Sequence, residues 1–190
     1  QIIGFKDPDE GSWSRLRALQ YGHLYKFALT RILSHTIGVV FAGSVVLGKV
    51  PLVLFCVWAL AVLLAVWNAT RVERDLADID RRSMTRHEFR RQAQGVAGCA
   101  LVWALALALF VPYCGRTEHF ALWTLVAMLI AGSVVTMAAA PIATVVFASI
   151  AGSAAVISFL WTGDYIFALV TATFLISAIA GAVEAAPAFL

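Results

Sequence analysis

"NATRVERDLADIDRRSMTRHEFRRQAQ", residues 68–94, is the only long charged stretch in a chain of 190 residues that is 62% hydrophobic. Seven of the fourteen Lys and Arg residues fall within it (Arg71, Arg74, Arg81, Arg82, Arg86, Arg90 and Arg91), interleaved with Glu73, Asp75, Asp78, Asp80 and Glu88. Apolar runs flank it on both sides, so it reads as two helix extensions joined by a turn and standing outside lipid. Thr85-Arg86-His87-Glu88 fits a capping box, which would start a helix near Thr85.

Away from this stretch the sequence is too apolar for a soluble domain. Mean hydropathy is +0.88, and only 13% of residues are charged. A bilayer core of about 30 Å takes roughly 20 apolar residues in a helix. Six such runs are present: Leu24 to Leu47, Pro51 to Trp67, Ala93 to Val111, Phe120 to Ala139, Ile142 to Trp161 and Tyr165 to Val183. They are continuously apolar, whereas barrel strands alternate over about ten residues. The expected fold is therefore all-α, a polytopic membrane protein of six transmembrane helices. Pro51 and Pro141 stand at the first turn of their spans, where a missing N–H costs nothing, and Pro112 closes the third. Trp67, Tyr113, Trp123, Trp161 and Tyr165 suit the interfacial aromatic belts.

With six spans, the N-terminus, the charged stretch, the turn near Ala140 and the C-terminus share one side. That side holds twelve of the fourteen basic residues; the other holds Lys49 and Arg116. The positive-inside rule then puts both termini in the cytoplasm. The chain divides into a cytoplasmic N-terminal segment (1–23), a six-helix domain (24–186) with a charged loop at 68–92, and a cytoplasmic C-terminal end (187–190). In "SWSRLRALQYGHLYKF", residues 12–27, Ser12 is a candidate N-cap, and Trp13, Leu16, Leu24 and Phe27 fall on one helical face suited to the inner leaflet. Arg15, Arg17 and Lys26 suit anionic headgroups. No secretory signal peptide is expected, because a polar stretch precedes the first apolar run. The charged stretch itself reads as a solvated loop, with a lipid-headgroup or nucleotide site as the alternative. Its mixed signs argue against nucleic acid.

An ionisable residue inside a span is a functional candidate by default. His35, in "LSHTIG", is the one singled out, with no acidic or basic residue expected beside it at depth. It reads as a neutral imidazole bonded to a neighbouring helix or a carbonyl, as a ligand or metal contact, or as a proton relay. His35 is the expected polar contact of any ligand, and Trp58, Cys99, Trp103 and Met128 are expected to form the apolar wall around it. A bis-histidine haem would need a second deep histidine, and His23, His87 and His119 fall near or beyond the membrane boundary. Cys56, Cys99 and Cys114 form no CxxC. Convergence of Cys56, Cys99 and His35 on a soft metal is an outside alternative. Phosphate-binding Gly-rich loops, HExxH and GxSxG are absent, so neither catalytic residues, nor a resident metal, nor a cofactor is expected.

Small residues four apart, Gly38 with Ala42, Ala148 with Gly152, Ser149 with Ser153 and Ser177 with Gly181, predict close helix packing, internal or across a homodimer. The fifth span is small on nearly all sides and is expected at the bundle centre. The basic segment "RLRALQYGHLYKFALTRILSHTIGVV", the tight turn "LGKVP", the exit "WNATRVERD", the return "RHEFRRQA" and the sixth span ending "ISAIAGAVEAA" together resemble the six-span input regions of alphaproteobacterial GGDEF/EAL diguanylate cyclases and related sensor histidine kinases. The resemblance covers about residues 13–186 and is architectural. It implies a sensory or regulatory input domain that perceives a small or lipid-soluble signal and passes it to a cytoplasmic output domain. Pro187 departs from it, because it would interrupt a signalling helix continuing from the sixth span. A small-molecule transporter and an accessory subunit of a larger membrane complex are the alternatives. Transporters commonly use broken helices and inverted repeats, and neither pattern is visible here.

Overall fold

The computed structural model of the chain describes residues 27–77, 86–138 and 140–185. Among these residues there is no β-strand. Six helices follow one another: α1 (Ala28–Val46), α2 (Leu52–Ala77), α3 (Arg86–Phe110), α4 (Arg116–Thr136), α5 (Pro141–Thr162) and α6 (Tyr165–Ala185). Each holds a segment long and apolar enough to cross a membrane. The chain is an all-α, multi-pass membrane protein. The expected interfacial helix at 12–27, the capping residue Thr85 and Pro187 lie outside the described residues, apart from Phe27.

The connections follow local chemistry. Between α1 and α2, Gly48 takes φ 86°, a left-handed conformation that glycine adopts without a Cβ penalty. Lys49 N–H and Val50 N–H both return to the Val46 carbonyl there, at 3.0 and 3.1 Å. At the end of α5, Gly163 at φ 79° lets Asp164 N–H reach the Phe159 carbonyl (2.9 Å) and its own N–H the Leu160 carbonyl (3.3 Å). This is the paired closure that satisfies the last carbonyls of a helix. Pro141 occupies the first turn of α5, and Pro112 lies in the 3-10 turn Val111–Tyr113 that ends α3.

α3 and α5 form the centre. Trp103, Leu107 and Phe110 of α3 and Ala148, Ala151, Ala155 and Phe159 of α5 are all buried. Small side chains let α5 come close to its neighbours, so dispersion contacts replace the hydrophobic drive that lipid cannot supply. Of the small pairs, Gly38/Ala42 and Ala148/Gly152 are internal: a Cβ on Gly38 would stand 3.0 Å from the Trp103 ring, and one on Gly152 2.6 Å from Leu175. Ser153 and Ser177 are exposed. On α1, Leu29, Leu33, Ile37 and Val40 form a lipid stripe, while Ala28, Arg31, His35, Gly38, Val39, Ala42 and Val46 turn inward.

Two expectations need correction. The charged stretch does not stand wholly outside the bundle, because Val72, Glu73 and Gln92 are buried within it. The candidate membrane segment of α2 accordingly runs to Asp75 rather than Trp67. Trp123 is half-buried and meets Phe159 and Phe174 edge-on (6.2 and 5.9 Å) instead of joining an interfacial belt. Trp161 and Tyr165 are exposed at helix ends, as a belt requires, whereas Trp67 is exposed within α2, ten residues before its end.

Candidate functional site

His35 does have charged company at depth. Arg31 precedes it by four residues, one turn away on the same face of α1. The Arg31 guanidinium pairs with the Glu73 carboxylate of α2, with side chains only 7% and 3% exposed. Gln92 of α3 is buried as well. Burying one charge in such surroundings is costly, and pairing makes it tolerable. The signal for this pair was present in the sequence as "RILSH" and "VERD", but helical phase alone does not tell which acidic residue of a charged run turns inward.

His35 itself is 8% exposed. The Trp103 indole Nε1–H donates to its Nδ1 at 2.8 Å. An indole nitrogen can only donate, so Nδ1 must carry a lone pair and the ring's proton sits on Nε2. The hydrogen bond to Trp103 is the one His35 makes among the described residues, and the ring also lines a cleft. Phe147 of α5 stands edge-on to the ring at 6.0 Å. Trp103 in turn meets Trp58 of α2 in a T-shaped contact at 5.2 Å. Trp58 donates its indole N–H to the Val102 carbonyl at 2.8 Å and packs edge-on to Phe110 at 5.0 Å. A continuous aromatic path therefore runs from α1 through α3 to α2.

The cleft lies between α1, α4 and α5, has a volume of about 50 Å³, and includes Arg31, Ser34, His35, Gly132, Ser133 and Phe147 in its lining. Ser34, Met128 and Gly132 at its edge are exposed, so it opens sideways, toward the space that lipid occupies. The structure thus brings His35, Trp103 and Met128 to one place in different roles. His35 is in the wall, Trp103 holds His35 from behind, and Met128, 68% exposed, is at the rim rather than in a closed wall. Trp58 and Cys99 do not line the cleft. Both are buried, Trp58 behind Trp103 and Cys99 one turn from Trp103 on α3. Cys56 is exposed on α2, and no group of three or more His, Cys, Asp and Glu among the described residues is placed to hold a metal. The soft-metal alternative is thereby overturned.

The opposite end of the bundle is closed by two ion pairs between loops and helix starts. Lys49 pairs with Glu118, and Arg116 with Asp164 at 2.6 Å. His119, expected near the boundary, is buried there, its Nε2 within 2.8 Å of the Ser158 hydroxyl and its ring stacked on Phe159 at 4.5 Å. An open pocket of about 360 Å³ beside it includes Cys114, Arg116 and Asp164. Burial and the Glu118 carboxylate push the Cys114 thiol above its ordinary pKa, while Lys49 opposes them.

No protein-family model, curated protein or solved structure matches the chain. The cleft can bind and position; what it offers chemically is one imidazole N–H in an apolar setting beside a charge-compensated guanidinium.

Proposed function

We propose that this chain is a membrane-embedded sensory or regulatory domain of the bacterial inner membrane, with the basic side in the cytoplasm. It takes a small or lipid-soluble signal from the bilayer and transmits it by helix displacement to a cytoplasmic output such as a diguanylate cyclase or kinase. The observation that carries this reading is the laterally open cleft with His35 in its wall. α1 is tied to α2 by Arg31–Glu73 and to α3 by His35–Trp103. A molecule wedged between α1 and α4 therefore strains two polar ties at once. The Arg31–Glu73 tie lies toward the end from which α2 runs into the charged stretch, with His35–Trp103 deeper in the bundle, so a shift of α1 is passed out of the lipid along a helix. Differential binding worth about 1–3 kcal/mol between two helix arrangements suffices for such coupling. The twelve-to-two distribution of basic residues supports the orientation.

The test has two parts. A Ser83→Cys variant in a Cys114→Ser background reacts with a membrane-impermeant maleimide only in inverted vesicles; labelling in intact cells would reverse the orientation. In cells carrying the protein as encoded, His35→Leu inserts normally but alters cyclic di-GMP level or phosphotransfer. Unchanged output at unchanged abundance would remove His35 from the signalling path and with it this reading of the cleft.

A further inference from the structure

We infer that the cleft between α1, α4 and α5 takes the head of a neutral, lipid-soluble molecule bearing a hydrogen-bond-accepting oxygen, a ketone or quinone carbonyl; this rests on the sensory reading of the same cleft and names its ligand class. The first argument is the inventory of donors. Three hydroxyls line the cleft, and each is already committed to a carbonyl of its own helix: Ser34 to Thr30 (2.8 Å), Ser133 to Ile130 (2.7 Å) and Thr136 to Gly132 (2.9 Å). His35 Nε2–H makes no hydrogen bond among the described residues and is not among their sealed, unpartnered atoms, so in a ring more than nine-tenths buried it stays reachable from the cleft. An accessible donor in an otherwise apolar wall is matched by an incoming acceptor oxygen and leaves a second donor or a charge unmatched.

Charge is the second argument. The one cation in the lining, Arg31, is matched by Glu73. An anionic head would bring a second carboxylate or phosphate to a guanidinium whose charge is already balanced, leaving one negative charge buried without a counterion. A neutral carbonyl carries no such cost. His35 is also neutral, with Nδ1 held by Trp103, so it offers a donor and not a positive field.

Shape is the third. The cleft, about 50 Å³, is small enough to take the carbonyl end of a molecule and the carbons around it rather than the whole. The rest of the molecule must stay in lipid, and the mouth permits it: Gly132 is exposed on α4 with nothing within 4 Å of where a Cβ would stand. Met128 stands at the opening and the buried Met137 also lines the cleft, and methionine adapts its unbranched side chain to irregular partners.

The experiment uses the whole chain purified into lipid nanodiscs and a long-chain methyl ketone carrying a diazirine, with the carboxylate of equal length as its pair. The ketone is expected to label peptides of α1 and α4 saturably, to be displaced by a short-tailed benzoquinone, and to be unaffected by the unlabelled carboxylate. His35→Leu should weaken labelling about tenfold, the effect of one buried hydrogen bond. Gly132→Leu adds bulk at the open side of the cleft, where a Cβ meets nothing within 4 Å, and should abolish labelling while helix content is kept; it decides the matter if His35→Leu misfolds. Preferential labelling by the carboxylate, or ketone labelling that survives Gly132→Leu, overturns the ligand class. The sensory reading fails on a separate measurement, the cellular output of His35→Leu, so the two failures are told apart.

Discussion

Replacing Glu73 by Gln should be among the most damaging single changes outside the bundle centre. It keeps the size of the side chain and leaves Arg31 in place, with both positions nearly sealed from solvent. Breaking a buried pair by removing one partner costs about 3–5 kcal/mol, because the remaining charge is uncompensated. The two single variants should not be equal. A carboxyl group can take up a proton when its partner is lost, whereas a guanidinium cannot release one, so Glu73→Gln should cost more than Arg31→Met. The double variant removes both charges and should recover at least about 2 kcal/mol of the summed single losses, a factor of roughly 30 in the unfolding equilibrium. Reversible unfolding of the purified chain in mixed micelles, followed by tryptophan fluorescence, measures all four corners of the cycle. If the singles stay within about 0.5 kcal/mol of the parent, as exposed pairs do, or if they simply add, the pair is not buried as described and the tie between α1 and α2 is lost from the argument.

Gly38→Ala should destabilise by about 1–2 kcal/mol in the same assay, since the new methyl meets the Trp103 ring at 3.0 Å and that ring is held by His35. Gly98→Ala, with nothing within 4 Å, should be neutral or gain up to about 1 kcal/mol. Trp103→Phe keeps the aromatic packing but takes the donor from His35 Nδ1 and should cost about 1–3 kcal/mol; no loss would mean that the hydrogen bond is not made. Cys114 should react with a small maleimide along a pH profile displaced above that of an ordinary thiol. Glu118→Gln should bring the profile down, and Lys49→Ala should move it further up, following the signs of the two neighbouring charges.

Most of the architecture was legible because a membrane span is a statement about length and apolarity, and both are read directly from residues. The fifth span announced its central place by having no large face to give to lipid, and Ala148, Ala151, Gly152 and Ala155 are indeed buried. His35 was legible as the deep polar residue, and its burial against Trp103 follows from the cost of leaving an imidazole in hydrocarbon. Arg31 was not, although it lies in the same helix. Near the end of a span a basic residue usually snorkels to the interface, and only the position of α2 shows that here a carboxylate meets it instead. The donor to His35 was missed for a similar reason: an indole on α3 reaches an imidazole 68 positions earlier only because Gly38, one turn further along α1, leaves room for the ring.

The charged stretch is where topology and mechanism meet. On α2, Arg71, Arg74 and Asp75 are exposed while Val72 and Glu73 are buried, a division that follows from about 100° of rotation per residue rather than from polarity. Asp75 reaches Arg91 of α3 at 3.3 Å across the exposed face, so α2 and α3 are tied here by an ion pair that salt screens. Behind it, α2 and α1 are tied by one that salt does not reach. At this end α2 is therefore held more firmly to α1 than to α3, while deeper in the bundle Trp58 ties α2 to the Val102 carbonyl of α3. High salt should accordingly loosen the α2–α3 end without releasing α1. Spin labels at Asn68 and Gln94 should separate or broaden in distance as salt is raised, whereas labels at Leu29 and Arg74 should not. If instead the α1–α2 distance responds and the α2–α3 distance does not, the buried pair is not the stronger tie, and displacement of α1 would have to leave the membrane through α3.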